Sequence, residues 1–210
     1  KMATRLSGWG CAGAFVNGTT GESLSLTVEE RKAIAAAWCE VTKGSDLKVI
    51  VHVGHNSIEA ASELAGHAAS SGADAIGMMP PCYLKPGTVG DLVSCCKQVA
   101  GKAPEIPFYY YHIPDLTGVY LPMIPFLEQA SAKIPSLAGI KYTHSDLSEY
   151  LQCLNFKDRS YDLFFGRDES LLAALALGAQ SAVGSTYNFA APVYNRIISK
   201  FSLGDLEGAR

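Results

Sequence analysis

No apolar run in the 210-residue sequence reaches the roughly 18 residues that a membrane-spanning helix needs. An excess of one charge is also lacking. The formal net charge is −3, with 18% charged residues, which gives no general attraction to nucleic acid or to an anionic membrane. Cysteine pairing motifs are missing too. Six cysteines are present, Cys11, Cys39, Cys82, Cys95, Cys96 and Cys153, and none forms a C-x-x-C pair. Adjacent Cys95 and Cys96 fall in an expected helix and would project about 100° apart. All six therefore read as free thiols of a reducing, cytoplasmic compartment. H-E-x-x-H and G-x-S-x-G are absent, which weakens zinc-hydrolase and serine-hydrolase readings. His52 and His55 stand three apart at a strand end, where the pleat sends them to opposite faces. No metal site is expected.

What remains is a globular composition, 48% apolar, with one pattern repeated along it. A short β-rich run is followed by a small polar turn and then by an amphipathic segment. The runs predict strands at Ala14–Asn17, Lys48–Val53, Ala75–Met79, Pro107–Ile113, Leu137–Thr143, Asp162–Gly166 and Ser181–Ser185. Helices are expected over Thr27–Thr42, Ser57–Ser71, Thr88–Gly101, Ser145–Asn155, Glu169–Leu177 and Ala191–Phe201, and Thr27-Val28-Glu29-Glu30 has the form of a capping box. Leu116–Pro135 is less regular, interrupted by Pro122 and Pro125. Gly72-Ala73-Asp74 and Gly178-Ala179-Gln180 both lead from helix to strand, as glycine C-caps do.

Alternating strand and helix implies a parallel sheet with right-handed crossovers. Its regularity favours a (β/α)8 TIM barrel over an open doubly wound sheet. Seven strands are visible. The sequence opens inside what reads as the end of a helix, Lys1–Trp9, and closes in Leu203–Arg210 as another begins. The expectation is a single partial barrel domain over residues 1–210, lacking its first strand and C-terminal helices.

In a parallel barrel, chemistry gathers at the C-terminal ends of the strands. The first visible strand ends in Asn17-Gly18-Thr19-Thr20-Gly21-Glu22, a turn able to aim N–H groups and hydroxyls at a carboxylate, or simply a glycine-rich connection. The fourth carries Tyr109-Tyr110-Tyr111-His112-Ile113-Pro114. Alternation puts Tyr109 and Tyr111 on one face and Tyr110 and His112 on the other, for packing or for proton transfer. The fifth runs Gly139-Ile140-Lys141, an apolar strand that leads straight into a lysine. A solvent-facing Lys141 would be ordinary. A Lys141 inside the barrel would be desolvated, its pKa lowered, and its neutral amine nucleophilic toward a ketone. Thr143 shares its face. Gly166-Arg167-Asp168-Glu169 and Gly184-Ser185-Thr186-Tyr187-Asn188 end the sixth and seventh strands with groups suited to binding hydroxyls or to helix capping.

Taken together, these motifs resemble the N-acetylneuraminate lyases (sialic acid aldolases), in the superfamily that includes dihydrodipicolinate synthase. Phe15 to Glu22, Tyr110 to Pro114 with Leu116-Thr117-Gly118-Val119, Gly139-Ile140-Lys141 and Val183 to Asn188 carry the resemblance, which spans nearly all of the sequence. It implies a cofactor-free class I aldolase that cleaves N-acetylneuraminate to N-acetylmannosamine and pyruvate. Lys141 would be the Schiff-base lysine and Tyr111 the proton-transfer tyrosine. Thr19 and Thr20 would hold the substrate carboxylate, and Thr143, Gly166, Asp168, Glu169 and Ser185 would contact the sugar chain. A homotetramer is implied for the full-length protein. The synthase branch usually places an arginine after the Tyr-x-x-Pro strand. Leu116-Thr117-Gly118 stands there instead, which favours the lyase. Asp115 departs from the small residue usual after the proline. Another pyruvate-dependent aldolase and an inactive barrel fragment are the rival readings.

Overall fold

The computed structural model describes all residues 1–210. Seven parallel strands form one sheet in sequence order: β1 (Gly13–Val16), β2 (Lys48–His52), β3 (Ala75–Met78), β4 (Phe108–His112), β5 (Leu137–Tyr142), β6 (Asp162–Phe165) and β7 (Ser181–Ala182). Helices α1 (Met2–Gly8), α2 (Val28–Thr42), α3 (Ile58–Ser70), α4 (Val89–Ala100), α5 (Pro114–Thr117), α6 (Met123–Lys133), α7 (Leu147–Leu154), α8 (Leu171–Ala176), α9 (Tyr187–Ser202) and α10 (Leu206–Ala209) complete the chain. The sheet curls but does not close, because β1 and β7 each have a partner on one side only. The architecture is a truncated TIM barrel, as the strand count predicted.

Local chemistry sets the elements. The expected box at α2 forms: Thr27 accepts from the Glu30 N–H while Glu30 accepts from the Thr27 N–H. Thr88 and Asp91 build a second box at α4. Gly72 and Gly178 leave their helices at φ +88° and +94°, the left-handed region glycine enters without strain.

The structure differs from the sequence reading in three places. The irregular stretch after Leu116 contains a full helix, α6, because Pro122 and Pro125 fall at its N-cap and first turn, where no intrahelical N–H is needed. The last long helix begins at Tyr187 rather than Ala191 and carries Pro192 within it. The seventh strand shrinks to two residues, with pairing only to β6.

Alternation along each strand divides the buried side chains. Val49, Val51, Ile76, Met78, Phe108, Tyr110, Ile140, Tyr142, Leu163 and Phe165 belong to the large core shared with the helices. Each fully buried side chain of this size contributes about 1.5–3 kcal/mol. A much smaller set, Met79, Tyr111 and Ile113 with Phe15 against them, is separate from it. A cleft of about 530 Å³ lies along the unclosed side. Gly13, Ala14 and Phe15 of β1 line it opposite Ser181, Ala182 and Val183. At the strand C-termini the two margins meet again, where the hydroxyls of Thr20 and Ser185 pair at 2.5 Å.

Candidate active site

The register of the sheet aligns Tyr111 on β4 with Lys141 on β5, and both point away from the helix layer. Lys141 is 7% exposed. Its Nζ lies 3.9 Å from the centroid of the Tyr111 ring and 4.2 Å from that of Phe15. It makes no ion pair. Burial lowers its pKa from 10.5 to about 7, opposed only by the negative charge of Asp168. A substantial neutral fraction at physiological pH follows, and a neutral amine is what attack on a carbonyl requires.

Tyr111 is buried as well. Its hydroxyl pairs with Thr19 Oγ1 at 3.2 Å. Burial raises the phenol pKa and the Thr19 hydroxyl partly offsets that. The resting group is thus a neutral phenol in a hydrogen-bonded position, suited to passing a proton within a bound complex. Thr19 and Thr20 sit in a single 3-10 turn, Thr19–Gly21, directly after β1. Both expected carboxylate-binding hydroxyls therefore stand at the rim, one on the tyrosine and the other on Ser185.

The remaining expected residues come together nearby. Thr143, Gly166, Asp168, Glu169 and Ser185 line one open pocket of about 340 Å³, joined by Arg167, Thr186 and Tyr194. Asp168 Oδ2 accepts from the Thr186 N–H and hydroxyl, each at 2.7 Å. Its Oδ1 is buried without a partner, as is Thr143 Oγ1. Any side chain at Gly184 would collide with the Asp168 carboxylate, and one at Gly166 with Thr143 Oγ1. Arg167 bridges Glu169 at 2.9 Å and Asp115 at 3.1 Å. Asp115, the departure noted in the sequence, is thereby paired with Arg167 and also accepts from the Tyr120 hydroxyl.

Sequence reasoning missed a layer behind these groups. Arg31 of α2 is wholly buried with no carboxylate partner. Its guanidinium donates to the carbonyls of Gly54 at 2.9 Å and His52 at 2.8 Å, and burial lowers its pKa to about 10. The His52 ring is edge-on to Tyr111, with centroids 5.8 Å apart. His52 Nε2 accepts from the Met79 N–H, so Nδ1 carries the hydrogen and donates to the Asn17 carbonyl at 2.9 Å. Asn17 is held at φ +58° and also donates through Nδ2 to the Arg31 carbonyl. It opens the turn bearing Thr19 and Thr20. A signal was available: Arg31, Ala35, Cys39 and Thr42 form the buried stripe of α2, and a charge on such a stripe calls for a partner.

The profile of the dihydrodipicolinate synthetase family matches residues 6–210. N-acetylneuraminate lyase of Danio rerio is 47% identical over 91% of the chain, and that of Homo sapiens 46% identical over 93%. The chain spans 62% of the length of each. The solved N-acetylneuraminate lyase of Proteus mirabilis superposes with a TM-score of 0.96 at 44% identity, covering 99% of this chain and 70% of that one. The resemblance drawn from the motifs is borne out.

Proposed function

The chain belongs to the dihydrodipicolinate synthetase family, and from that premise we propose that it carries the imine-forming site of an N-acetylneuraminate lyase. The observation that carries the reading is the unpaired, buried Lys141, stacked on Tyr111 with a pKa of about 7. Lys141 attacks the C2 ketone of open-chain N-acetylneuraminate and forms a protonated imine. The imine withdraws electrons, so the C3–C4 bond breaks as the Tyr111 phenol accepts the C4 hydroxyl proton and passes its own proton to the substrate carboxylate, from which a proton returns to C3 of the enamine. N-acetylmannosamine leaves, and hydrolysis of the enamine releases pyruvate and restores the amine. Thr19 and Thr20 hold the carboxylate, and the pocket from Thr143 to Ser185 orients the sugar chain. A covalent lysine adduct supplies the electronic work that a cofactor would otherwise do. The region of Leu116-Thr117-Gly118 offers no arginine for a second carboxylate, which supports a lyase over a synthase. A reducing, cytoplasmic setting suits the six free thiols, and a homotetramer suits the full-length protein.

Borohydride trapping with pyruvate, followed by peptide mass mapping, tests the reading on this chain and on one extended to the length of its relatives. An adduct on Lys141 that is absent from Lys141→Ala is the expected result. Absence of any adduct on the extended chain overturns the assignment. Tyr111→Phe should retain trapping and slow cleavage by about 10²–10⁴-fold, the usual contribution of a positioned acid–base group. A panel of acceptor aldehydes then separates N-acetylmannosamine from the acceptors of other pyruvate aldolases.

A further inference from the structure

The helix-facing side of the β4–β5 pair holds a second polar cluster, independent of the lysine site. His112 ends β4, His144 stands two residues past β5, and Glu149 lies in α7. One donor atom from each lies within 4.8 Å of the others. His112 Nε2 and Glu149 Oε2 are 3.9 Å apart, and the two imidazoles meet edge to face with centroids at 5.6 Å. His112 is 2% exposed. The Nδ1 atoms of both histidines are buried and have no hydrogen-bond partner in the protein. His112 faces Glu149 through Nε2, which also has no hydrogen-bond partner in the protein, so that nitrogen is the one free to ligate. Glu149, by contrast, is fixed. Its Oε1 accepts from the Met123 N–H at 2.8 Å and its Oε2 from the Tyr142 hydroxyl at 2.9 Å.

We propose that His112, His144 and Glu149 form a binding site for a divalent transition metal of the zinc type. Two imidazoles and a carboxylate are a donor set suited to zinc, with a fourth position left for water. The hydrogen bonds on Glu149 supply the outer shell that orients a ligating carboxylate. Tetrahedral bonds of about 2.1 Å place donors roughly 3.4 Å apart, so the 3.9 Å between His112 Nε2 and Glu149 Oε2 must close by about 0.5 Å and the widest pair by up to about 1.4 Å. His144 can supply the larger part of that movement, because it is only half-buried and lies in the turn between β5 and α7, while a small shift of the His112 and Glu149 side chains closes the rest. The ion would tie the end of β4 to the turn after β5 and to α7, bracing from behind the strands that carry Tyr111 and Lys141. No step of aldol chemistry passes through it.

Zinc titration of the metal-free chain, followed by calorimetry and by metal analysis after dialysis, tests the site without reference to activity. One zinc per chain is expected. His144→Ala should weaken it at least about 100-fold and Glu149→Gln at least about 10-fold, since even outer-shell losses cost 10–100-fold. His67→Ala, in α3, should leave it unchanged. Cobalt should give visible bands of nitrogen–oxygen coordination that His144→Ala abolishes. Circular dichroism establishes that each variant is folded, and if His144→Ala is not, Glu149→Gln and the cobalt spectrum decide. Substoichiometric zinc, or zinc that neither variant weakens, overturns the proposal and leaves a water as the occupant of the cluster.

Discussion

Lys141 and Arg31 are two buried cations at the same end of one barrel, separated by the rings of Tyr111 and His52, and neither has a carboxylate in contact. They solve the same problem in opposite ways. Lys141 is surrounded by aromatic faces and gives up its proton, with its pKa lowered to about 7. Arg31 keeps its charge, at a pKa of about 10, and spends it on two backbone carbonyls. A primary amine can become neutral and reactive, whereas a guanidinium cannot and serves as a fixed fork of donors. Desolvation alone therefore does not produce a nucleophile; it must act on a group able to shed its charge.

Arg31→Met should break the comparison most severely. It leaves the carbonyls of His52 and Gly54 without the guanidinium donors, for a loss of about 2–4 kcal/mol by denaturant unfolding. A neutral result would mean that the charge is superfluous.

Lys141→Met should go the other way. The folded pKa of Lys141 lies below its unfolded value of 10.5, so the unfolded chain binds the extra proton between about pH 7 and 10.5. Stability should rise with pH across that window, and below it the full penalty applies. Replacement by methionine removes the penalty, worth roughly 2–4 kcal/mol at pH 7 and nothing above pH 10.5. Equal stability of the two chains at pH 7 would show that Lys141 is solvated.

The finest adjustment concerns Asp168, whose charge holds the Lys141 pKa up. Asp168→Asn should shift the pH profile of imine trapping downward by roughly half a unit, since a neighbouring opposite charge favours the ammonium. An upward shift would assign Asp168 a different part.

The two cations also differ in how readily the sequence revealed them. Lys141 stood out because it interrupts an apolar strand, and strand periodicity of two leaves little doubt about which residues share its face. The same periodicity separated Tyr111 from Tyr110 and His112. Arg31 stayed hidden in a helix with ordinary surface charge around it, where the buried stripe shows only if every residue is tested against a period of 3.6. His52 was weighed only as a partner for His55. Its actual neighbours are Asn17 and Ser23 in the connection after β1, Arg31 in α2 and Met79 just past β3, and no local spacing around His52 encodes such a meeting. Asp115 was seen as a departure, but its partner Arg167 stands 52 positions away. Helix α6 was obscured because prolines suggest interruption until their place in the first turn is known.

The sheet's simple order bears on how the chain comes into being. Every strand pairs with the strand before it, and Tyr111 and Lys141, aligned across β4 and β5, are only 30 positions apart. Pairings of such short reach suit vectorial assembly, each βα unit adding to the previous one as it is synthesised. The two histidines of the β4–β5 pair and the reactive lysine would come together in one such step. Hydrogen exchange should accordingly be slowest in β4 and β5 and fastest at β1 and β7, the first and last strands to be laid down.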